Sequence, residues 1–236
     1  METSGGLSLN ASDKIFEDIK AAARRRLPID GAGGLTLDSV AAEAELTIAE
    51  INTHFANRDE LLTALITDAY NSSAEEIERA DFAARESGAT PGARLLAATR
   101  ALRAWSLANT AEFTLIYGSP VPGYEAPQDT VGPASRTPAC MALIMLMALQ
   151  EGSLIAPRRT IPGPPLVKEE AIALVGGLPG EPFSDLLERG IVFWANLIGL
   201  LIFEVFSRTH DSVRDQSAFF DYAIAVAAEN IGITVS

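Results

Sequence analysis

Within residues 35–62 the apolar positions recur at helical spacing in short, separately capped bursts. Leu37, Val40, Ala41 and Ala44 share one face of a helix, and Ile48, Ile51 and Phe55 share one face of the next. Thr36 suits the N-cap of the first, Thr47 with Glu50 a capping box for the second, and Asn57 with Glu60 a capping box for a third. Only Glu45 and Leu46 are left for the turn. So short a turn makes the helices cross steeply and holds the second one out from its support, the geometry of a helix-turn-helix entering a DNA major groove. Upstream, Ile15, Phe16, Ile19 and Ala23 predict one more amphipathic helix at about residues 12–27.

The pattern stays helical downstream. One helix is expected from Arg58 to about Arg85, ending near Gly88, and another after Thr90 with Pro91 in its first turn, carrying Leu95, Leu96, Leu102, Trp105 and Leu107. Residues 119–138 hold five prolines and two glycines and predict an irregular loop. A loop of that length usually has a function or moves. The runs 139–149 and 191–203 are nearly all apolar yet short of the roughly 20 residues that span a bilayer, so they predict buried helices and no membrane partner. Residues 182–207 and 211–231, broken at 208–210, predict an antiparallel pair. The expected fold is all-α, a three-helix helix-turn-helix DNA-binding domain over 11–57 followed by a larger helical domain over 58–236.

Charge changes this picture more than composition does. A chain of 236 residues has room for such a head and body, but its formal net charge of −13 excludes a general nucleic-acid coat, because a large negative field repels phosphate. The head, residues 13–62, sets six cations (Lys14, Lys20, Arg24, Arg25, Arg26, Arg58) against ten carboxylates, a balance of −4. Non-specific DNA affinity comes from Lys and Arg neutralising phosphates, so weak binding with a shallow salt slope is expected. The run Arg24 to Arg26 either concentrates positive potential or is a solvated helix end complementing the helix dipole. The single cysteine, Cys140 in ACMALIMLMAL, predicts a buried, inert thiol and no internal disulfide, which fits a reducing cytoplasm. The start METSGGLSLNAS lacks the charged-then-apolar order of a signal peptide.

The head resembles the tetracycline-repressor (TetR) family of one-component bacterial regulators. The matching residues are Leu35-Thr36, Val40-Ala41, His54-Phe55 and Arg58-Asp59-Glu60-Leu61-Leu62. Two positions depart from that pattern: Glu45 stands where the family's turn carries glycine, and Asn52 where its reading helix carries an aromatic, usually tyrosine. WSLANTAEFTLIYGSPVPGYEAP, from Trp105 to Pro127, is similar to the ligand-binding body of one subgroup, and the Trp194–Gly199 spacing resembles its Trp-(x)4-Gly helix. Ile198 replaces a histidine common there, so that histidine's role does not transfer.

The resemblance implies a ligand-responsive repressor, a homodimer whose two reading helices bind a palindromic double-stranded DNA operator and are released by a small molecule. Thr47, Ala49, Glu50, Asn52 and Thr53 would lie nearest the bases, Thr36 and Arg58 would anchor phosphates, and His54 would either approach the DNA backbone or end the helix. Glu50 either accepts from cytosine or is occupied by its capping box. Trp105, Phe113, Tyr117, Tyr124, Met141 and Met145 either line a cavity for an apolar or aromatic effector or pack as core. Phe193, Trp194, Leu197, Gly199, Leu200 and Leu201, with Phe220 and Ile224, are candidates for a dimer interface, the alternative being a central core helix.

Catalytic chemistry finds no support in the pattern. The two histidines, His54 and His210, are far apart, no ligand spacing suggests a metal, and no phosphate loop, serine elbow or Cys-His set appears, so neither an enzyme nor a cofactor is expected. The competing class is a dimeric small-molecule-binding protein of the same fold with little DNA affinity, favoured by Glu45, Asn52 and the acidic head.

Overall fold

The computed structural model describes residues 11–158, 166–174, 176–209 and 211–235, and these form helices with no strand among them. Ten α-helices follow in order: α1 (Ala11–Gly34), α2 (Leu37–Ala44), α3 (Ile48–Asn52), α4 (Arg58–Glu86), α5 (Pro91–Ala108), α6 (Thr110–Tyr117), α7 (Val131–Gln150), α8 (Glu169–Leu174), α9 (Leu186–Val205) and α10 (Gln216–Glu229). His210 lies outside the described residues.

The chain divides into two compact units, one of residues 1–69 with 111–131 and the other of 70–110 with 132–236. In the first, Ile19, Ala22 and Ala23 of α1, Val40 of α2, Ile51 of α3 and Leu61, Leu62 and Leu65 of α4 are all within 1% of full burial, with α2 packed on both α1 and α3. Burying about 1.5–3 kcal/mol of side chain at each large position is what holds two helices as short as α2 and α3 in place, since isolated helices of that length do not persist in water. The first helix is longer than the 12–27 expected. Pro28 removes only one helical hydrogen bond, and the Arg26 to Asp30 ion pair (2.6 Å) straddles it. The helical path is instead interrupted at Gly31, where φ is 65°.

In the second unit α5, α9 and α10 pack together around Leu95, Ala98, Leu102, Phe193, Leu197, Leu201, Phe220 and Ile224. Arg103 on α5 donates to Glu204 on α9 (Nε, 2.8 Å) with its guanidinium 5.6 Å over the Phe220 ring, and Arg100 is paired with Asp221. The tail after α10 passes close against α5: a Cβ at Gly92 would lie 1.9 Å from the Thr234 carbonyl, so only glycine fits.

The expected irregular loop is irregular only in its first half. From Val131 the chain is helical through Pro133 and Pro138. Pro133 stands in the first turn, where no helical N–H is needed, and only Pro138 costs a bond. The membrane argument also needs correcting in its premise, because Gln128–Gln150 and Leu186–Val205 are 23 and 20 residues long and by length and composition could span a bilayer. Each nonetheless buries a stripe inside its own unit: Cys140, Met141, Ile144, Met145 and Ala148 on one, and Leu186, Phe193, Leu197 and Leu201 on the other.

Candidate functional site

The head is assembled by side chains that cap helix ends. Thr36 accepts the Ser39 N–H (3.1 Å) and Ser39 Oγ accepts the Thr36 N–H (3.2 Å), a reciprocal box where the sequence suggested a single cap. α2 ends at Glu45, whose φ of 56° and ψ of 35° are left-handed, and whose N–H reaches back to the Ala41 and Ala42 carbonyls. The conformation that favours glycine is therefore present, adopted by a glutamate at a cost of about 1 kcal/mol. Thr47 then opens α3: its Oγ1 accepts the Glu50 N–H (3.2 Å), while Glu50 Oε2 accepts both the Thr47 N–H and the Thr47 hydroxyl at 2.7 Å. Those bonds, the backbone one foremost, hold the Glu50 carboxyl below the usual range for glutamate. Asn57 Oδ1 accepts the Glu60 N–H (3.0 Å), while Glu60 Oε2 accepts the Ala56 N–H (2.8 Å) in place of that of Asn57, so the third start is capped with its return bond one residue early.

Helix α3 buries Ile51, and Phe55 follows it inward to stack on Phe16 at 5.0 Å. His54 is half-buried with its ring 6.1 Å from Phe16, so it packs toward α1. Ile48, Ala49, Glu50, Asn52 and Thr53 are exposed. Their polar groups are not equally free. Glu50 Oε2 is occupied by Thr47, and the Thr53 hydroxyl donates to the Glu50 carbonyl (2.7 Å). Asn52 makes no such internal bond among the described residues.

The cations of the head are spent inside it. Arg58 was expected on a phosphate, but its Nε donates to the Leu35 carbonyl (2.9 Å) and its Nη2 to the carbonyls of Ala32 (2.6 Å) and Gly33 (3.1 Å). A cation at the carbonyl-rich end of α1 satisfies acceptors that the helix leaves open. Lys20 and Arg24 converge on Asp68, Arg25 meets Glu43, and Arg26 meets Asp30, whose carboxyl it holds below the ordinary range. Of the six head cations only Lys14 lacks a described partner, and Thr36 keeps a hydroxyl hydrogen to offer. The run Arg24 to Arg26 is thus a set of internal ion pairs rather than an open patch.

Comparison with known proteins agrees with this geometry. The family model for the tetracyclin repressor-like C-terminal domain matches residues 95–227. A helix-turn-helix-type transcriptional regulator of Mycobacterium tuberculosis (strain ATCC 25618 / H37Rv) is 32% identical over 232 residues, covering 95% of this chain and 97% of its own. This chain belongs to the TetR family of transcriptional regulators. A crystal structure of the regulatory protein SCO4313 superposes with a TM-score of 0.68 at 27% identity, covering 92% of this chain and 97% of that one. A tetR-family regulatory protein from Rhodococcus RHA1, 18% identical, shares the fold with a TM-score of 0.62 over 94% and 98% of the two chains. TetR regulators bind DNA and small-molecule ligands, usually as dimers, and are not in general enzymes.

The six candidate ligand residues are divided between the two units. Phe113, Tyr117 and Tyr124 belong to the first unit, where Phe113 and Tyr117 make a ring contact at 5.3 Å and the Tyr124 hydroxyl meets Thr63 Oγ1 at 2.9 Å. Trp105, Met141 and Met145 are buried in the second, with Trp105 Nε1 donating to Ser72 Oγ (2.9 Å) and Met145 filling the space a Cβ would need at Gly190. The candidate interface residues also divide. Phe193, Leu197, Leu201, Phe220 and Ile224 are buried within the single chain, whereas Trp194, Gly199 and Leu200 are half-buried. The exposed apolar face lies outside that candidate set and includes Val192, Phe203, Phe206, Phe219, Tyr222 and Val226. A groove of ≈ 820 Å³ runs along that face, lined by Val192, Asn196, Gly199, Phe203 and Phe219 among others. One signal could have separated the two sets. On a helix apolar all round, the positions spaced at four from Phe193 form the tightest Phe/Leu stripe.

Proposed function

We propose that this regulator is a homodimeric repressor that occupies a roughly palindromic operator and leaves it when a small apolar or aromatic molecule binds the helical body. The observation that carries the reading is the exposed outer surface of α3, displayed by a turn that keeps its left-handed geometry even with Glu45 in it. Two such helices, one per subunit, would sit in successive major grooves. The dimer would form through the apolar face of α9 and α10. A Cβ at Gly199 would meet nothing within 4 Å in the single chain, which leaves room there for the backbone of a second copy. Helix α4, which contributes to both units, is the element through which effector binding would alter the spacing of the heads.

A second reading, a dimeric ligand-binding protein with little DNA affinity, is favoured by one observation: five of the six head cations are held by internal partners. Fluorescence anisotropy of the full chain against its own upstream intergenic DNA, with excess unrelated DNA at low and physiological salt, separates the two. Saturable binding that survives the competitor supports the repressor. Equal binding to both DNAs, or none, supports the ligand-binding protein.

A further inference from the structure

The reading surface of α3 is narrower in chemistry than its exposed residues suggest. Five side chains there are exposed, but two are partly committed, Glu50 through Oε2 to the Thr47 N–H and hydroxyl and Thr53 through its hydroxyl hydrogen to the Glu50 carbonyl, so that each has only acceptor oxygen left to offer. Ile48 and Ala49 have only methyl and methylene groups to offer. Thr53, with its hydroxyl hydrogen spent, still presents a methyl. That leaves the Asn52 carboxamide as the one donor-acceptor pair on the exposed face of α3 without an internal partner among the described residues.

Spacing brings these groups together. Residues three and four apart are neighbours on a helix, so Asn52 lies beside Ile48 and Ala49, and Ala49 beside Thr53. Ile51 and Phe55 face the core, which turns Ala49 and Thr53 outward with Asn52 on their flank. No lysine or arginine lies on α3, so the side-chain type that most often selects guanine is missing. A carboxamide matches the N6 donor and N7 acceptor of adenine, and apolar groups match the C5-methyl of thymine.

We propose that α3 reads A·T pairs: Asn52 pairs with one adenine through its carboxamide, and Ile48, Ala49 and the Thr53 methyl pack on thymine methyl groups beside it. This rests on the DNA-binding reading above and deepens it by naming the operator chemistry. Glu50 keeps only Oε1 for a base, since Oε2 is taken by the cap of its own helix, so it adds an acceptor and no donor. With so few free cations in the head, affinity depends on these base contacts more than on phosphate neutralisation.

The test is selection of full-length protein on a randomised duplex pool, followed by titration of the selected operator and its modified forms. The expected half-site has A·T pairs under α3. Replacing the contacted adenine by 7-deazaadenine, which removes N7, or by a G·C pair weakens binding by about ten- to a hundredfold, and replacing the neighbouring thymines by uracil weakens it by a few fold. Asn52→Ala loses most of the discrimination at that one pair and keeps it elsewhere. The modified DNAs are read with the unaltered protein, so the result does not depend on how Asn52→Ala folds. G·C pairs under α3, or indifference to both 7-deazaadenine and uracil, overturn the A·T assignment while leaving a sequence-specific regulator. Failure to enrich any sequence overturns this assignment together with the DNA-binding reading beneath it.

Discussion

Replacing Arg58 with alanine separates a structural cation from a phosphate anchor. The side chain makes three hydrogen bonds to the carbonyls of Ala32, Gly33 and Leu35, and is 26% exposed. Hydrogen bonds to a charged group contribute roughly 1.5–3 kcal/mol each when fully enclosed, and solvent access together with two bonds sharing one nitrogen reduces the total to about 2–3 kcal/mol. For a chain of this size that is a fall of roughly 4–12 °C in Tm. Circular dichroism melts give the stability, and anisotropy over a salt series gives the slope of log K against log salt. Loss of a phosphate contact would lower that slope by about 0.9, whereas loss of an internal clamp leaves it unchanged. Arg58→Lys should recover less than half of the stability, since an ammonium is a point charge that does not reproduce the guanidinium fork. An unchanged Tm with a slope reduced by about one would refute the reasoning and restore Arg58 to the DNA.

Other consequences are open to direct measurement. Asp81 pairs with Arg94, whose side chain is only 4% exposed, so Asp81→Ala leaves a buried cation unpaired and should cost about 3–5 kcal/mol in a denaturant titration. Burial pushes the Cys140 thiol up to about 12, so iodoacetamide at pH 8 should label it only after unfolding; rapid labelling of the native protein would contradict its placement. The Glu50 carboxyl titrates below its unfolded value, so its contribution to α3 is complete above the ordinary glutamate range and is lost as pH falls through the lowered folded value. Protection of the Thr47 and Glu50 amides, taken relative to the intrinsic exchange rate at each pH, should therefore fall in acid, and Glu50→Gln should remove that pH dependence. Phe203→Glu, on the exposed face of α9, should halve the mass seen by light scattering without lowering helicity; an unchanged mass would place the dimer interface elsewhere.

The legible parts of the chain were those written in local chemistry. Thr47 with Glu50, Asn57 with Glu60, and Thr90 ahead of Pro91 fixed three helix starts, and the apolar spacing of Ile51 and Phe55 fixed which side of α3 faces inward. Glu45 stood out as a residue needing a left-handed turn, and it has one. What stayed hidden depended on partners distant in sequence. Arg58 reads as a DNA contact until the carbonyls 23 to 26 residues earlier are brought to it, and Arg24 reads as open charge until Asp68 arrives. On α9, apolar on almost every side, hydrophobicity alone made Phe193 and Leu197 look as available as Val192 and Phe203, and only the large side chains at four-residue spacing, Phe193, Leu197 and Leu201, marked the stripe that meets α5 and α10. Pro133 and Pro138 concealed the start of α7 because a proline's cost depends on which turn of the helix it occupies.

Hydroxyl-radical footprinting of the upstream intergenic region with the full-length protein addresses the central claim most directly. A dimer presenting two α3 helices should protect two short patches related by a dyad, their centres about one helical turn or a whole multiple apart, and the added effector should remove both together. Protection of a single patch, or none at concentrations that saturate unrelated DNA, would contradict the account.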